Sequence, residues 1–156
     1  MKSIIALLLI VTVICILLLT LISCTAKPPK TGLIDGRLRA CPGTPNCVSS
    51  EDPNVSARIA PLAFQGPPET AWKNLKEAVR DLDGSIQEEQ GNYLRATFTS
   101  RIFHFVDDVE FRMVAAEKLI HVRSASRVGH SDLGVNRKRV ERLRAVFAQK
   151  EKTVHD

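Results

Sequence analysis

The segment that decides the fold is residues 86–126, IQEEQGNYLRATFTSRIFHFVDDVEFRMVAAEKLIHVRSAS. Apolar and polar side chains alternate within it in four runs, at 86–89, 93–98, 105–113 and 119–126. Alternation with a period of two is typical of β-strands that bury one face. The short breaks at 90–92 and 115–118 separate the runs in pairs, as hairpin turns do. The segment therefore predicts two consecutive hairpins in a four-stranded antiparallel sheet.

Helical spacing flanks this segment on both sides. Residues 69–83 carry apolar side chains every three or four positions, with a proline pair before them and a glycine after them. Residues 135–149 show the same spacing, and Ser131 or Asp132 can cap that helix. A sheet with one apolar face covered by two helices is a two-layer α+β fold. We therefore predict the order α-β-β-β-β-α, with the N-terminal and C-terminal helices on one face of the sheet.

The start of the chain is a membrane-directed segment. Lys2 precedes an apolar run at 4–22, which has the form of a secretory signal or signal anchor. Leu21-Ile22-Ser23-Cys24 has the form of a lipobox, in which the thiol accepts diacylglycerol. We predict that residues 1–23 are a lipoprotein signal peptide and that Cys24 carries the lipid. The alternative is an uncleaved transmembrane helix, because about 18 apolar residues can also span a bilayer.

The distribution of proline divides the rest of the chain, since all eight prolines lie between residues 28 and 68. Removal of the signal leaves 133 residues (156 − 23), which is enough for one domain. The predicted parts are a lipid anchor and tether at 24–40, a single globular domain at 41–149 and a basic, polar tail at 150–156. Within the domain we expect an irregular lead-in at 41–68 and the regular core at 69–149.

Two cysteines are left for the domain, because Cys15 lies in the signal and Cys24 takes the lipid. An even pair outside the cytoplasm favours a disulfide between Cys41 and Cys47. The residues between them are rich in turn formers, which suits so short a loop. A metal or redox site is the alternative, but the spacing is not C-x-x-C and no histidine lies nearby. We expect reduction to loosen 41–68 more than the sheet.

Three motifs together resemble the domain-of-unknown-function family DUF1499. They are CPGTPNCVSS at 41–50, FVDDVEF at 105–111 and RSASRVGHSDLGVNRKR at 123–139. The resemblance covers about residues 38–148 and implies a small, often membrane-attached bacterial envelope protein, here of the lipoprotein type. It implies no reaction, because the family has no assigned activity. His130 stands where an aromatic residue such as tyrosine is common in that family.

Five polar residues are predicted to share the helix-facing side of the sheet. If the apolar residues of 105–113 and 119–126 face the helices, the alternation also turns Asp107, Ser124 and Ser126 inward. Asn136 and Arg139 fall within the apolar stripe of the last helix. An arginine in such a stripe is costly unless it is paired, and Asp107 is the nearest inward carboxylate. The five residues form either a structural ion-pair site or a polar pocket for a ligand.

The same register predicts cross-strand neighbours. A turn centred between residues 116 and 117 sets Asp107 opposite Ser126 on the inner face. It sets Glu110 opposite Arg123 on the outer face.

Catalytic and metal-binding patterns are weak. Ser124 and Ser126 lack a G-x-S-x-G elbow, and the four histidines lack H-E-x-x-H spacing. We therefore predict no catalytic residues, no metal and no cofactor.

A basic segment at 137–152 indicates which partners the protein can bind. It carries seven cations and two carboxylates, or 7 − 2 = +5. In a cell envelope the available polyanions are lipid headgroups and phosphorylated glycolipids rather than nucleic acid, and the alternative is a solvated helix face. Thr25 in place of aspartate after the lipidated cysteine predicts the outer membrane, facing the periplasm, in a Gram-negative cell.

Three functional hypotheses follow from these patterns. The first is a lipid-anchored, non-enzymatic envelope module that contacts a partner protein or an anionic lipid or glycolipid. The second is a small-molecule or lipid binder with a cavity between sheet and helices. The third is a serine hydrolase with its nucleophile among Ser49, Ser124 and Ser126.

Overall fold

The computed structural model of the chain describes residues 1–26 and 29–153, and the side chains of 22–24 and 153 lie outside the described part. The first element is the helix α1, Lys2–Thr25. Its stretch Lys2–Leu21 is long and apolar enough to cross a membrane, which a signal sequence near an N-terminus also is. The side chain of Cys24 is outside the described residues, so its lipidation stays a prediction.

Short strands follow α1. A two-stranded hairpin is formed by β1, Leu33–Ile34, and β2, Arg37–Leu38. Two further strands lie in the proline-rich lead-in, β3 at Cys47–Ser49 and β4 at Leu62–Ala63.

The regular part of the domain begins with the helix α2, Pro68–Asp81, which starts on a proline at its first turn. Four strands come next and are followed by the helix α3, Val135–Thr153. They are β5 (Ser85–Gln90), β6 (Tyr93–Thr99), β7 (Val106–Val114) and β8 (Leu119–Ser126). The β5–β6 turn contains Gly91 at φ 58°, a conformation that glycine adopts without steric cost. The carboxylate of Asp132 accepts the N–H of Asn136 at 2.7 Å and so caps α3.

The main sheet has six strands, not the predicted four. Its order is β3-β8-β7-β6-β5, and β4 also pairs with β8, all antiparallel. The β5–β8 meander and the registers Asp107↔Ser126 and Glu110↔Arg123 are as predicted. The additional strands come from the lead-in. Strands of two or three residues are too short to show alternation, and both are held by hydrogen bonds to β8.

The inner face of the sheet packs on α2 and α3. The largest fully buried side chains of this layer include Phe64, Phe111, Phe147, Leu75 and Val109. The sheet and the helix approach closely at Gly84, where an added Cβ would lie 2.6 Å from Phe98 Cζ. The apolar layer is therefore filled by side chains, as protein interiors are.

The outer face of the sheet is also covered, although its residues are charged. Asp108 and Glu110 are 0% exposed and Arg123 is 3% exposed. Residues of the predicted tether cover them, since Leu38 is buried and the N–H of Gly32 donates to Glu110 Oε1 at 2.7 Å. The folded part of the chain thus begins within 24–40, because Gly32 and Leu38 of this segment pack against the outer face of the sheet.

Glu110 is the centre of this outer-face network. Its Oε2 accepts a hydrogen bond from Arg123 at 2.6 Å, and its Oε1 accepts one from Tyr93 Oη at 2.8 Å. Burial, followed by the charge and hydrogen bond of Glu110, raises the pKa of Tyr93 well above its usual range. The phenol therefore stays protonated and keeps donating to the carboxylate.

The pKa values of two further groups on the outer face predict how the free energy of unfolding depends on pH. Desolvation lowers the pKa of His121 below its ordinary value of 6.5. Burial acts to raise the pKa of Glu51, but hydrogen bonds from Arg112 and from the N–H of Leu38 outweigh it, so this pKa lies below 4.5. Both groups bind protons more tightly in the unfolded chain, so acidification favours unfolding.

Urea unfolding between pH 8 and pH 3 checks this expectation. Stability should fall first as the pH drops below about 6.5 and again as it drops below about 4.5. His121→Asn should remove the first decline and Glu51→Gln the second. A first decline that is unchanged in His121→Asn would show that another group causes it.

Candidate functional site

The five polar residues predicted to share the inner face do come together, and we call them the polar cluster: Asp107, Ser124, Ser126, Asn136 and Arg139. The Arg139 guanidinium donates to the Asp107 carboxylate and, at 2.8 Å, to Asn136 Oδ1. Ser124 Oγ donates to the same Asn136 oxygen at 2.5 Å. Asn136 Nδ2 donates to Ser126 Oγ at 2.9 Å. The strands β7 and β8 supply three members and the first turns of α3 supply two.

Arg139 lies at the border of the polar cluster. Its side chain is 14% exposed and that of Asp107 is 9% exposed. Its guanidinium also lies over the Phe98 ring, 5.2 Å from the centroid, a cation–π contact. The members of the cluster are thus joined by internal hydrogen bonds, and Asp107, Ser126 and Arg139 border open space. This geometry fits a structural link between the sheet and α3 in which Arg139 is also placed to contact a ligand.

The disulfide connects to this cluster through Asn46. The predicted Cys41–Cys47 bond is confirmed, with a Cα–Cα distance of 5.7 Å. Within its loop, the carbonyl of Asn46 accepts from Asn136 Nδ2 and from the N–H of Ser126, both at 3.0 Å. Asn46 Nδ2 donates to the carbonyl of Gly129 at 2.6 Å. The disulfide loop therefore fixes the start of α3 and the connection that precedes it.

We expect replacement of both cysteines by serine to act mainly at this junction. Cys41→Ser with Cys47→Ser should lower the free energy of unfolding by about 2 kcal/mol, since the closed loop is short. Hydrogen exchange should speed up more at the amide of Ser126 than at that of Leu94 in the centre of the sheet. Cys15→Ser, which changes an exposed free thiol, is the control. An equal change at both amides would contradict the proposed link.

An apolar groove lies beside the cluster at the end of the sheet. Its volume is about 560 Å³, and the connections before β7 and before α3 line it with Phe103, Phe105, Val128 and Leu133. Asp107, Ser126 and Arg139 are at its polar end. Leu133 is 87% exposed, and Val135, the first apolar residue of the helical spacing at 135–149, is 46% exposed. Apolar side chains that are exposed together in this way mark surfaces that bind a protein, a membrane or a ligand.

A basic depression adjoins the apolar groove. It has a volume of about 530 Å³ and shares Val135 and Arg139 with the groove. The charged side chains that line it are Arg101, Lys138, Arg139 and Arg142 against Asp81 and Asp83, or 4 − 2 = +2. Lys138 and Arg142 make no ion pair with any carboxylate in the described part of the chain. Their charge is available to a partner.

Two other cations of the basic segment, Arg137 and Arg144, are tied to the domain. Arg137 donates to the carbonyls of Arg58 and Ser56, each at 3.0 Å. Arg144 donates to the carbonyls of Pro61 and Ala60. The sequence showed the excess charge but not which cations hold the lead-in and which face outward.

A serine and a histidine meet elsewhere, on the outer face. Ser50 Oγ lies 3.1 Å from His121 Nδ1 and accepts the N–H of Val122 at 2.9 Å. The lowered pKa of His121, caused by desolvation, keeps the ring neutral near pH 7. The hydroxyls of Ser124 and Ser126 bond to Asn136 instead, and that of Ser49 accepts the N–H of Glu51. Sequence reasoning missed this pair because Ser50 reaches His121 only through the unpredicted strand β3.

A metal site is the remaining kind of candidate site. In residues 1–26 and 29–153, no group of three or more His, Cys, Asp or Glu side chains is placed to hold a metal ion.

Comparison with known proteins gives a family and no function. A family model described as a protein of unknown function, DUF1499, matches residues 37–147. Searches of curated proteins and of solved structures found no match. The matched range includes the disulfide, the six-stranded sheet, α2 and most of α3, with the basic depression and the lining of the apolar groove apart from Leu19. The chain therefore belongs to the DUF1499 family.

Proposed function

We propose that this protein is a membrane-attached, non-enzymatic module that binds an anionic amphiphile, such as an acidic phospholipid. The observation that carries the proposal is the adjacency of the apolar groove and the basic depression, which share Val135 and Arg139. An apolar chain fits the first and a negatively charged headgroup fits the second. The proposal combines two hypotheses from the sequence, an anionic envelope partner and a lipid-binding protein. The binding site is placed at the end of the sheet and not in a cavity between sheet and helices.

The location of the groove supports a lipid rather than a soluble metabolite. The space between sheet and helices is filled, and the groove opens at the surface, where exposed Ile102 and Leu133 extend the apolar area. Leu19 of α1 also lies at the groove. If residues 1–23 are removed as a signal peptide, this apolar neighbour goes with them and leaves room for another apolar chain.

Photo-cross-linking in a membrane tests the proposal. The protein, purified from membranes with its native N-terminal anchor, is placed in phosphatidylcholine nanodiscs that contain a photoactivatable phosphatidylglycerol or phosphatidylcholine. We expect the acidic probe to label peptides covering 100–105 and 127–135, and the zwitterionic probe to label them far less. Lys138→Gln with Arg142→Gln should weaken the labelling on the order of tenfold, since each cation near an acidic lipid contributes about 1 kcal/mol. Leu133→Asp should also suppress it.

Matched controls use residues outside both depressions. Val55 is 77% exposed and Lys152 is exposed on the same helix as Lys138. Val55→Asp and Lys152→Gln should leave the labelling unchanged. Equal labelling by both lipids, or equal loss in the control variants, would overturn the proposal.

Lipid attachment at Cys24 is the second part of the proposal. The lipobox and the apolar α1 support it, and more than one acyl chain would make the attachment stable. We expect mass spectrometry of the membrane-bound protein to show an acylated Cys24 at the N-terminus and no residues 1–23. Cys24→Ala should leave the precursor unprocessed. An intact Met1 terminus on the membrane-bound protein would instead identify α1 as a transmembrane anchor.

A hydrolase is the second candidate, and the Ser50–His121 contact is the observation that favours it. Ser50 Oγ can donate to a neutral imidazole there, which is the first requirement of an activated serine. A fluorophosphonate probe tests it. Labelling of the wild type that is lost in Ser50→Ala and in His121→Gln would support this candidate, and absence of labelling would reject it.

A further inference from the structure

A buried arginine on the outer face has a donor with no partner. Arg123 is 3% exposed, and its NH1 group donates to Glu110 Oε2 at 2.6 Å. Its Nε has no hydrogen-bond partner among the described residues. An unpaired buried donor is costly, and a bound water or ion is one of the arrangements that satisfies it. Glu110 does not offer a second acceptor to the Arg123 Nε, because Tyr93 and Gly32 already donate to its other oxygen, Oε1.

A cationic depression lies beside this arginine, between the β1–β2 hairpin region and the sheet. Its volume is about 490 Å³, and its charged lining residues are Lys30, Arg39 and Arg123, with no acidic residue in the lining. Arg39 is half-buried and its Nε donates to the carbonyl of Thr31 at 3.2 Å, which holds the side chain on this side of the segment. With Glu110 counted against the three cations, the local charge is 3 − 1 = +2.

We propose that this depression is a phosphate-binding site, with Arg123 Nε, Arg39 and Lys30 as its donors. A phosphate group has enough oxygens to meet all three side chains, whereas a carboxylate has only two. Arginine is suited to phosphate by the fork of its N–H groups, and lysine adds a compact charge. Pro29, Ala40 and Pro42 line the depression beside these donors.

If Cys24 is lipidated as proposed, the position along the chain brings this site near a membrane. Pro29 follows Cys24 by five residues, which span at most about 18 Å when fully extended. The phosphate could therefore belong to a lipid headgroup or be a free phosphate ion. Both present the same tetrahedral oxyanion, and the experiment separates them.

Arginine side-chain NMR on the full chain in dodecyl maltoside, a detergent without phosphate, tests the proposal. We expect the Arg123 Nε–H resonance to shift in a saturable way with inorganic phosphate and not with sodium chloride at equal ionic strength. A second titration uses dihexanoyl-phosphatidylglycerol. A shift with both probes assigns the site to phosphate in general including headgroups, and a shift with inorganic phosphate alone assigns it to the free ion. No saturable shift with either probe overturns the proposal.

Variants of single arginines test which residues form the phosphate site. Arg39→Gln should weaken phosphate binding by about tenfold or more, as loss of a charge-assisted hydrogen bond does. Arg37→Gln is the matched control, because Arg37 lies on the same hairpin, pairs with Glu51 and does not line the depression. Equal weakening in both variants would contradict the assignment. Leu133→Asp should leave phosphate binding intact, so failure here and failure of the amphiphile proposal are separate results.

Discussion

Replacement of Glu110 by leucine is expected to lower the free energy of unfolding by about 3–5 kcal/mol. The Glu110 side chain is 0% exposed and neutralises Arg123, whose side chain is 3% exposed. Its removal leaves a buried guanidinium without a carboxylate. The hydroxyl of Tyr93 loses its acceptor as well, and the N–H of Gly32 keeps only its longer bond to Tyr93 Oη, at 3.1 Å. We therefore expect the β1–β2 hairpin region to detach from the sheet before the rest of the domain unfolds.

A double change separates loss of the pair from loss of packing. Glu110→Leu with Arg123→Met leaves no buried charge and should recover much of the lost stability. Urea unfolding compares the parent, Glu110→Leu, Arg123→Met and the double variant. Hydrogen exchange at the amide of Gly32 reports on the hairpin region. Glu88→Leu is the control, because the Glu88 side chain is 47% exposed and its ion pair with Arg95 should contribute little. An unfolding free energy of Glu110→Leu within about 0.5 kcal/mol of the parent would show that the pair is not a buried one.

The part of the fold that sequence predicts well is the part with periodic side chains. The alternation along β6, β7 and β8 determined strand identity and register, because a slip of one residue would turn the buried Val109 and Phe111 to the other face. The strands β3 and β4 could not be predicted, since their backbone hydrogen bonds to β8 leave no pattern in two or three residues.

The second buried face was missed for a related reason. Asp108, Glu110 and Arg123 look like residues of a solvated face when each is considered alone. The available signal was their register, because Glu110 opposite Arg123 places opposite charges side by side. Prediction of their burial required knowing that 29–52 covers them, and this segment has proline and glycine but little periodicity.

The polar cluster shows what composition can and cannot tell. Asn136 and Arg139 stood out because they interrupt the apolar stripe of α3, and the structure joins them to Asp107, Ser124 and Ser126. Asn46 was not predicted as their neighbour, because its contact depends on the path of the disulfide loop. The apolar groove was not predicted either, since it is formed by two connections that have no repeating pattern.

Arg139→Met is expected to lower the free energy of unfolding by about 3 kcal/mol, the low end of the range for broken buried pairs, because both side chains keep some exposure. The change strands the Asp107 carboxylate at the base of the apolar groove. It also removes one donor from Asn136 Oδ1 and the cation over the Phe98 ring. Arg139→Met with Asp107→Leu leaves neither charge and should restore most of the stability.

This same double variant distinguishes a structural role from a binding role for Arg139. If the pair only braces sheet against helix, the restored fold should label with the photoactivatable acidic lipid as strongly as the parent. If Arg139 also holds the headgroup between the apolar groove and the basic depression, the double variant should be stable and yet lose labelling on the order of tenfold. We expect the second result, because Arg139 lines both depressions while its partners Ser124 and Asn136 line neither. A stable double variant with full labelling would restrict Arg139 to a structural role.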